Sequence, residues 1–344
     1  TRVRSSAASD VYKRQIFMFV ADDKRYDKMP YNKVGKWGLK LPSVSLGLWQ
    51  NFSYSDNFEN MENMCRTAFN LGINHFDLAN NYGNPYNGSA EENFGKILKR
   101  DLKVYRDELC ISTKAGYDMW PGPYGAKHGS RKYLISSLDQ SLKRMELDYV
   151  DIFYHHVFDP ETPLEETALA LDHAVRQGKA MYVGISNYNS VQTAEIQKIF
   201  NELKTPFIIN QPSYSMFNRW IETDGLKNYA DENGLGLAVF SPLAQGLLTD
   251  KYIGSSLAAS KRSWMNNTPD KKTIDKLHKL NEIASSRGQK LSQMALSWVL
   301  RDGKITTVLI GASRPEQIAE NAESAFKTSF TSDELIKIEE IINS

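Results

Sequence analysis

Cysteine is nearly absent: the 344 residues hold two, Cys65 and Cys110. Two thiols cannot build a disulfide framework, and their spacing matches no metal-ligand pattern. A surplus of charge of either sign is also missing. Lys plus Arg number 42 against 41 for Asp plus Glu, a net +1, so no global field draws the chain to nucleic acid or an anionic membrane. No stretch approaches the ~20 apolar residues of a spanning helix. The chain begins TRVRSSAASDVYKRQ and follows this with only a short apolar patch, Ile16 to Val20. The ~7–15-residue apolar core and the small-residue cleavage site of a secretory signal are therefore lacking. Residues 1–17 read as a non-native or disordered lead with Met18 a candidate native start, residues 18–344 as one domain, and the cytoplasm as the expected compartment.

What is present is alternation. Short β-branched or aromatic runs occur at 43–49, 73–79, 108–114, 149–156, 180–186, 206–211, 236–242 and 306–312. Amphipathic stretches separate them, at 61–72, 89–100, 131–145 and 163–178 among others. In the first of these Met61, Met64, Cys65, Ala68 and Phe69 recur at helical spacing. The last has Pro163 near its start and Gly178 just past its end, the asymmetry expected of a helix. Strands alternating with helices pair in parallel through crossovers, and eight such units predict an α/β fold of the closed (β/α)8 barrel type. An open doubly wound sheet would need a GxGxxG turn after its first strand to hold a dinucleotide, and none is there. Residues 35–42, GKWGLKLP, read as a hairpin able to plug the barrel bottom. The stretches 212–235 and 241–275 exceed ordinary loop lengths and are candidate active-site loops.

In a barrel the chemistry sits at the C-terminal ends of the strands. Asp77 ends the second predicted strand and Tyr82 follows it in DLANNYG; Lys114 ends the third; His155 and His156 end the fourth. Each alone has an ordinary explanation as a helix cap, a salt-bridged surface charge or a packed aromatic. Together they suggest a proton donor. A tyrosine with a free pKa near ~10 is a weak acid at neutral pH. An adjacent ammonium favours its phenolate, Asp77 would hold that ammonium, and one histidine would orient a carbonyl oxygen beside the phenol. His155 and His156 point to opposite sides of their strand, so only one can serve.

The motifs DLANNYG, STK and YVDIFYHH together resemble the aldo-keto reductase superfamily, over about residues 27 to 340. The resemblance implies a catalytic set of Tyr82, Asp77, Lys114 and His156, the last because it lies five residues after Asp151. MPYNKVGKWGLKLPSVSLGLW, KAGYDMWPGPYG and GSRKYLISSLDQSLKRM look most like the bacterial L-glyceraldehyde-3-phosphate reductase group, whose near relatives are β subunits of voltage-gated potassium channels. Tetramers or larger rings among those relatives imply a homo-oligomer.

The segments SPLAQGLLTDKY (241–252) and GASRPEQIAEN (311–321) are small-residue turns leading into polar helical stretches. Their backbone N–H groups could face phosphates or serve as ordinary barrel-loop turns. The resemblance makes them NADP(H)-binding segments. It implies nicotinamide contacts from Phe240, Ser186, Asn187 and Gln211, with Trp49 and Asp77 nearby. It further implies contacts from Ser241, Pro242, Leu243 and Gln245, pyrophosphate contacts from Lys251 and Arg262, and an adenosine end of Gly311, Ser313, Arg314, Gln317, Glu320 and Asn321. Many members have Pro-Lys-Ser where this chain has Gly311-Ala312-Ser313; the channel-subunit branch shares the latter form. Arg314 supplies a cation suited to a 2′-phosphate.

The substrate pocket is expected to be walled by Trp49, Tyr82, His156 and the loop from Tyr117 to Tyr124, where Trp120 either binds substrate or simply packs. A phosphorylated aldehyde would need a cation, and Arg131, Lys127 and Arg219 are available. The expected activity is reduction of a small aldehyde such as L-glyceraldehyde 3-phosphate or methylglyoxal, without metal. The competing reading is an NADP-binding redox sensor that regulates a partner, as the channel subunits do. Those carry Asn at the fourth catalytic position, where this chain has His156. A Schiff-base isomerase built on Lys114 ranks last, since Asp77 would keep that lysine protonated.

Overall fold

The computed structural model describes residues 19–123, 127–253 and 269–344. The expectations for the lead segment, Met18, Tyr124 and Arg262 lie outside the described residues. Among the described residues, ten strands form two sheets. β1 (Tyr31–Lys33) and β2 (Lys40–Pro42) pair antiparallel as the expected hairpin. The barrel strands are β3 (Val44–Gly47), β4 (His75–Asp77), β5 (Cys110–Ala115) and β6 (Val150–His155), then β7 (Ala180–Ser186), β8 (Phe207–Gln211), β9 (Gly236–Val239) and β10 (Thr307–Ile310). They run parallel in sequence order, and β10 closes on β3. Seven lie within their expected runs, and β5 extends one residue beyond its run, to Ala115.

The helices explain that order. α1 (Phe58–Asn70), α2 (Ser89–Ile97), α3 (Arg131–Met145), α4 (Leu164–Arg176) and α5 (Ser190–Leu203) each cross from one strand to the next. α6 (Trp220–Thr223), α7 (Leu226–Glu232), α8 (Lys271–Ser286), α9 (Leu291–Leu300), α10 (Pro315–Ala322) and α11 (Ser332–Asn343) complete the outer layer. Local chemistry marks their starts: Asn57 accepts from the Asn60 amide ahead of α1, and Asn189 with Gln192 forms a capping box at α5. α1 buries Met61, Met64, Cys65, Ala68 and Phe69, the face the spacing predicts. The stretch 212–235, expected to be a long loop, instead carries α6 and α7. Both are too short for their periodicity to show in the sequence.

β5 and β6 are buried at every position, as strands flanked by helices outside and side chains inside must be. The hairpin seals the barrel's N-terminal end. Val34 and Leu41 pack with Cys110, Ile152, Tyr154, Ile208, Ile209 and Ala238 in one cluster, and the Lys36 amide donates to the Gly234 carbonyl at 3.0 Å. Gly35 is required there: its φ is +57°, and a Cβ would stand 2.1 Å from the Gly234 oxygen. With one end closed by apolar side chains, the opposite, C-terminal end is left for chemistry.

Candidate active site

Three adjacent strands deliver the ionisable groups. Asp77 ends β4, and the turn after it carries Tyr82; Lys114 lies near the end of β5; His156 follows β6. Lys114 is fully buried, yet its ammonium is saturated with partners. It donates to Asp77 Oδ2 at 2.6 Å, to the Leu78 carbonyl at 2.5 Å and to the Tyr82 hydroxyl at 3.2 Å. The other Asp77 oxygen accepts from Ser112 at 2.7 Å and from Gln211 at 3.0 Å. The carboxylate therefore cannot swing away from the lysine.

The two histidines separate as one-per-face requires. His155 is consumed by structure, with Nδ1 2.6 Å from the Tyr188 hydroxyl and Nε2 3.2 Å from the His128 carbonyl. His156 lines a cavity together with Tyr82, their rings 5.9 Å apart edge to face. Its Nδ1 is buried without a hydrogen-bond partner among the described residues. Burial first, then the Lys114 charge, drives the His156 imidazole well below its ordinary value, so it is neutral.

Tyr82 corrects one expectation. The Lys114 charge does pull the phenol down, but burial outweighs it and the net direction is up. Lys114 also loses charge stability by burial, yet Asp77 and Tyr82 hold it above its ordinary value. The result is a protonated phenol beside a charged ammonium, and not a standing phenolate. A Lys114 held charged by Asp77 also argues against the Schiff-base reading.

The cavity has a volume of about 930 Å³. Around the Tyr82 hydroxyl the lining includes Trp49, Tyr86, Tyr117 and His156. The Tyr117 ring stands 4.7 Å from His156, and Trp49 lies 6.5 Å from Tyr82. Trp120, expected as a possible substrate contact, is not part of this wall; it stacks on Tyr133 at 4.7 Å. Tyr86 and Tyr117 take that place. The lining also includes Asn187, Gln211, Phe240, Ser241, Pro242, Leu243, Gln245 and Lys251. It further includes Gly311, Ser313, Arg314, Gln317, Glu320 and Asn321. Ser186 is the exception among the expected contacts: it sits beneath the wall, donating to the Gln211 carbonyl at 2.7 Å and so positioning it.

The 241–246 segment beside the cavity has an unusual backbone. Ser241, Ala244, Gln245 and Gly246 all have positive φ, 54°, 48°, 58° and 92°. Left-handed non-glycine residues cost ~1–2 kcal/mol each, and such sequences of turns present N–H groups to phosphates. Arg131, Lys127 and Arg219 do not line the cavity. Arg131 donates to the Leu169 carbonyl, and Arg219 is paired with Glu222 and Glu339. The lining cations are Lys251, Arg314 and Lys290, the last with no motif around it to mark it in the sequence. Asn51, Asn81 and Ser292 are further lining residues that no sequence pattern singles out.

A protonated phenol bonded to a buried lysine, in a cleft at the open end of a parallel barrel, is the arrangement of an oxidoreductase of carbonyl and alcohol groups. A sequence model of the Aldo/keto reductase family matches residues 43–343, and the chain belongs to that family. It is 53% identical over 333 residues to the L-glyceraldehyde 3-phosphate reductase of Escherichia coli (strain K12), covering 94% of this chain and 96% of that protein. The corresponding protein of Escherichia coli O157:H7 is 52% identical with the same coverage. A probable voltage-gated potassium channel subunit beta of Oryza sativa subsp. japonica is 33% identical over 327 residues, 92% of this chain and 97% of its own length. Among the described residues, no helix is long and apolar enough to cross a membrane.

Proposed function

We propose that the protein is an NADPH-dependent reductase of small aldehydes, with L-glyceraldehyde 3-phosphate the leading substrate and methylglyoxal a second, and with Tyr82 as the general acid. The observation that carries the reading is the Lys114 ammonium placed between Asp77 and the Tyr82 hydroxyl. Asn187, Gln211 and Phe240 would hold the nicotinamide end of the coenzyme, the 241–251 segment its phosphates, and Arg314, Gln317, Glu320 and Asn321 its adenosine. When bound, the reduced coenzyme supplies hydride to the carbonyl carbon.

The chain's own groups manage the oxygen. Neutral His156 and the Tyr82 hydroxyl face one cavity, so a carbonyl oxygen can be held between them. As negative charge grows on that oxygen, the Tyr82 proton moves to it. Lys114 stabilises the phenolate left behind, and Asp77 keeps Lys114 in place. Trp49, Tyr86 and Tyr117 line the space around the Tyr82 hydroxyl and would limit substrate size.

The similarity to channel β subunits supports a second reading, an NADP-binding redox sensor. His156 completes a working proton-transfer set and favours the enzyme. The deciding experiment follows NADPH consumption with L-glyceraldehyde 3-phosphate, its D-isomer and methylglyoxal side by side. Preference for the L-isomer supports the proposal. Tight NADPH binding with no consumption on any of the three puts the sensor first.

A further inference from the structure

The cavity has two ends of different chemistry. One is the aromatic and titratable cluster around Tyr82. The other is bounded by Lys290, Arg314, Glu320 and Asn321. A dinucleotide that presents its reacting ring to Tyr82 leaves its adenosine half at this second end, so the inference rests on the coenzyme reading above.

Two opposed recognition chemistries meet there. A carboxylate suits a free ribose 2′-hydroxyl, while a guanidinium suits a 2′-phosphate. Glu320 provides the first and Arg314 the second. Arg314 is weakly committed: its paired carboxylate, Glu316, is 3.7 Å away and both side chains are mostly exposed. Glu320 is not free in this way. Lys290 Nζ stands 2.7 Å from its Oε2. Gln293 holds the two helices in register for this contact, accepting from the Lys290 amide at 2.9 Å and donating to the Glu320 carbonyl at 2.9 Å.

We propose that Lys290 sets the coenzyme preference. By pairing with Glu320 it masks the carboxylate that would select a 2′-hydroxyl, and it brings a second cation beside Arg314 for a 2′-phosphate. The ammonium keeps its charge at neutral pH, since its hydrogen bond to Glu320 and the nearby Asp250 hold it above its ordinary value against the pull of Arg314. Without Lys290, Glu320 would face a 2′-phosphate unneutralised and repel it.

The test is equilibrium titration of the intact protein with NADPH and with NADH, followed by reduced-nicotinamide emission, for wild type and Lys290→Met. The variant should weaken NADPH at least about fivefold while NADH changes by less than about twofold or tightens. In a Glu320→Gln background the same replacement should cost NADPH less, because neutralising that carboxylate is part of what Lys290 does. Equal losses for both coenzymes would reduce Lys290 to a clasp between α9 and α10 and overturn the inference, as would an unchanged preference. Wild-type protein that binds NADH as well as NADPH would overturn the NADP reading itself, and with it any preference for Lys290 to set.

Discussion

The Tyr82 hydroxyl accepts a hydrogen bond from the Lys114 ammonium at 3.2 Å, while Asp77 holds the same nitrogen at 2.6 Å. The phenol is thereby coupled to a charge that cannot leave. Replacing Tyr82 by Phe removes the proton that the proposed reaction delivers to the alkoxide. Turnover should drop ~10²–10⁴-fold, with NADPH affinity within a factor of about two, since the hydroxyl is one contact among many. Parallel measurement of aldehyde reduction and coenzyme titration checks this. A Tyr82→Phe variant with wild-type rates removes Tyr82 as the acid.

The pH profile of reduction follows from the same geometry. In the proposed role Tyr82 must be protonated to donate, and burial raises its pKa despite Lys114. Reduction should therefore persist past the pH near ~10 at which an ordinary tyrosine ionises, and fall only above it. His156, driven well below its ordinary value by burial and the Lys114 charge, is neutral across the whole neutral range and adds no limb there. The measurement is kcat/KM for aldehyde reduction from about pH 6 to 10.5. An alkaline limb centred below about pH 9 would mean that Lys114, not burial, dominates the phenol.

Stability should depend on pH through the buried histidines. His75 bonds Ser45 and Ser112 at 2.9 and 3.0 Å, and burial lowers it to about 4. Burial also lowers His155 to about 4. Both values lie below the unfolded one near ~6.5, so the unfolded chain binds more protons between those limits. Stability is fully present above pH ~6.5 and is lost as pH falls toward 4, by up to ~1.4 kcal/mol per pH unit for each histidine. Urea unfolding midpoints at pH 7, 6, 5 and 4.5 would show the slope. Midpoints that stay level from pH 7 to 5 would mean these imidazoles are solvated.

How much of this was legible beforehand differs by element. The eight barrel strands were, because parallel strands buried on both faces concentrate β-branched and aromatic residues into short runs, as in VDIFYH of β6. The meeting of Asp77, Tyr82, Lys114 and His156 was, because three of them sit at strand ends whose order sets their meeting point. Lys290 was not. Its importance comes from a tertiary contact with Glu320 across two helices, and nothing around it in the chain marks a polar lysine as a cavity residue. Trp120 was legible as an aromatic but not as a destination. Whether it stacks on Tyr133 or faces substrate is decided by the path of its loop, which composition does not encode. The direction of the Tyr82 shift was hidden for a related reason: the Lys114 charge is visible in the motif, whereas the burial that outweighs it exists only in the fold.

The hairpin plug offers a test that separates backbone strain from steric conflict. Gly35 and Gly178 both have positive φ, 57° and 71°. An alanine at Gly178 would meet nothing within 4 Å, whereas at Gly35 its Cβ would stand 2.1 Å from the Gly234 oxygen. Gly178→Ala should cost only the left-handed penalty, ~1 kcal/mol. Gly35→Ala must also push the hairpin off the barrel end, breaking the Lys36–Gly234 hydrogen bond and loosening Val34 and Leu41 from the cluster they share with Tyr154 and Ile209. Its cost should reach ~3 kcal/mol or more. Urea unfolding of the two variants gives the difference directly. Because the plug lies at the barrel end remote from Tyr82, coenzyme affinity of the folded Gly35→Ala protein should stay at the wild-type value. Equal destabilisation by the two alanines would mean that the hairpin is not held against the barrel by the Gly35–Gly234 contact.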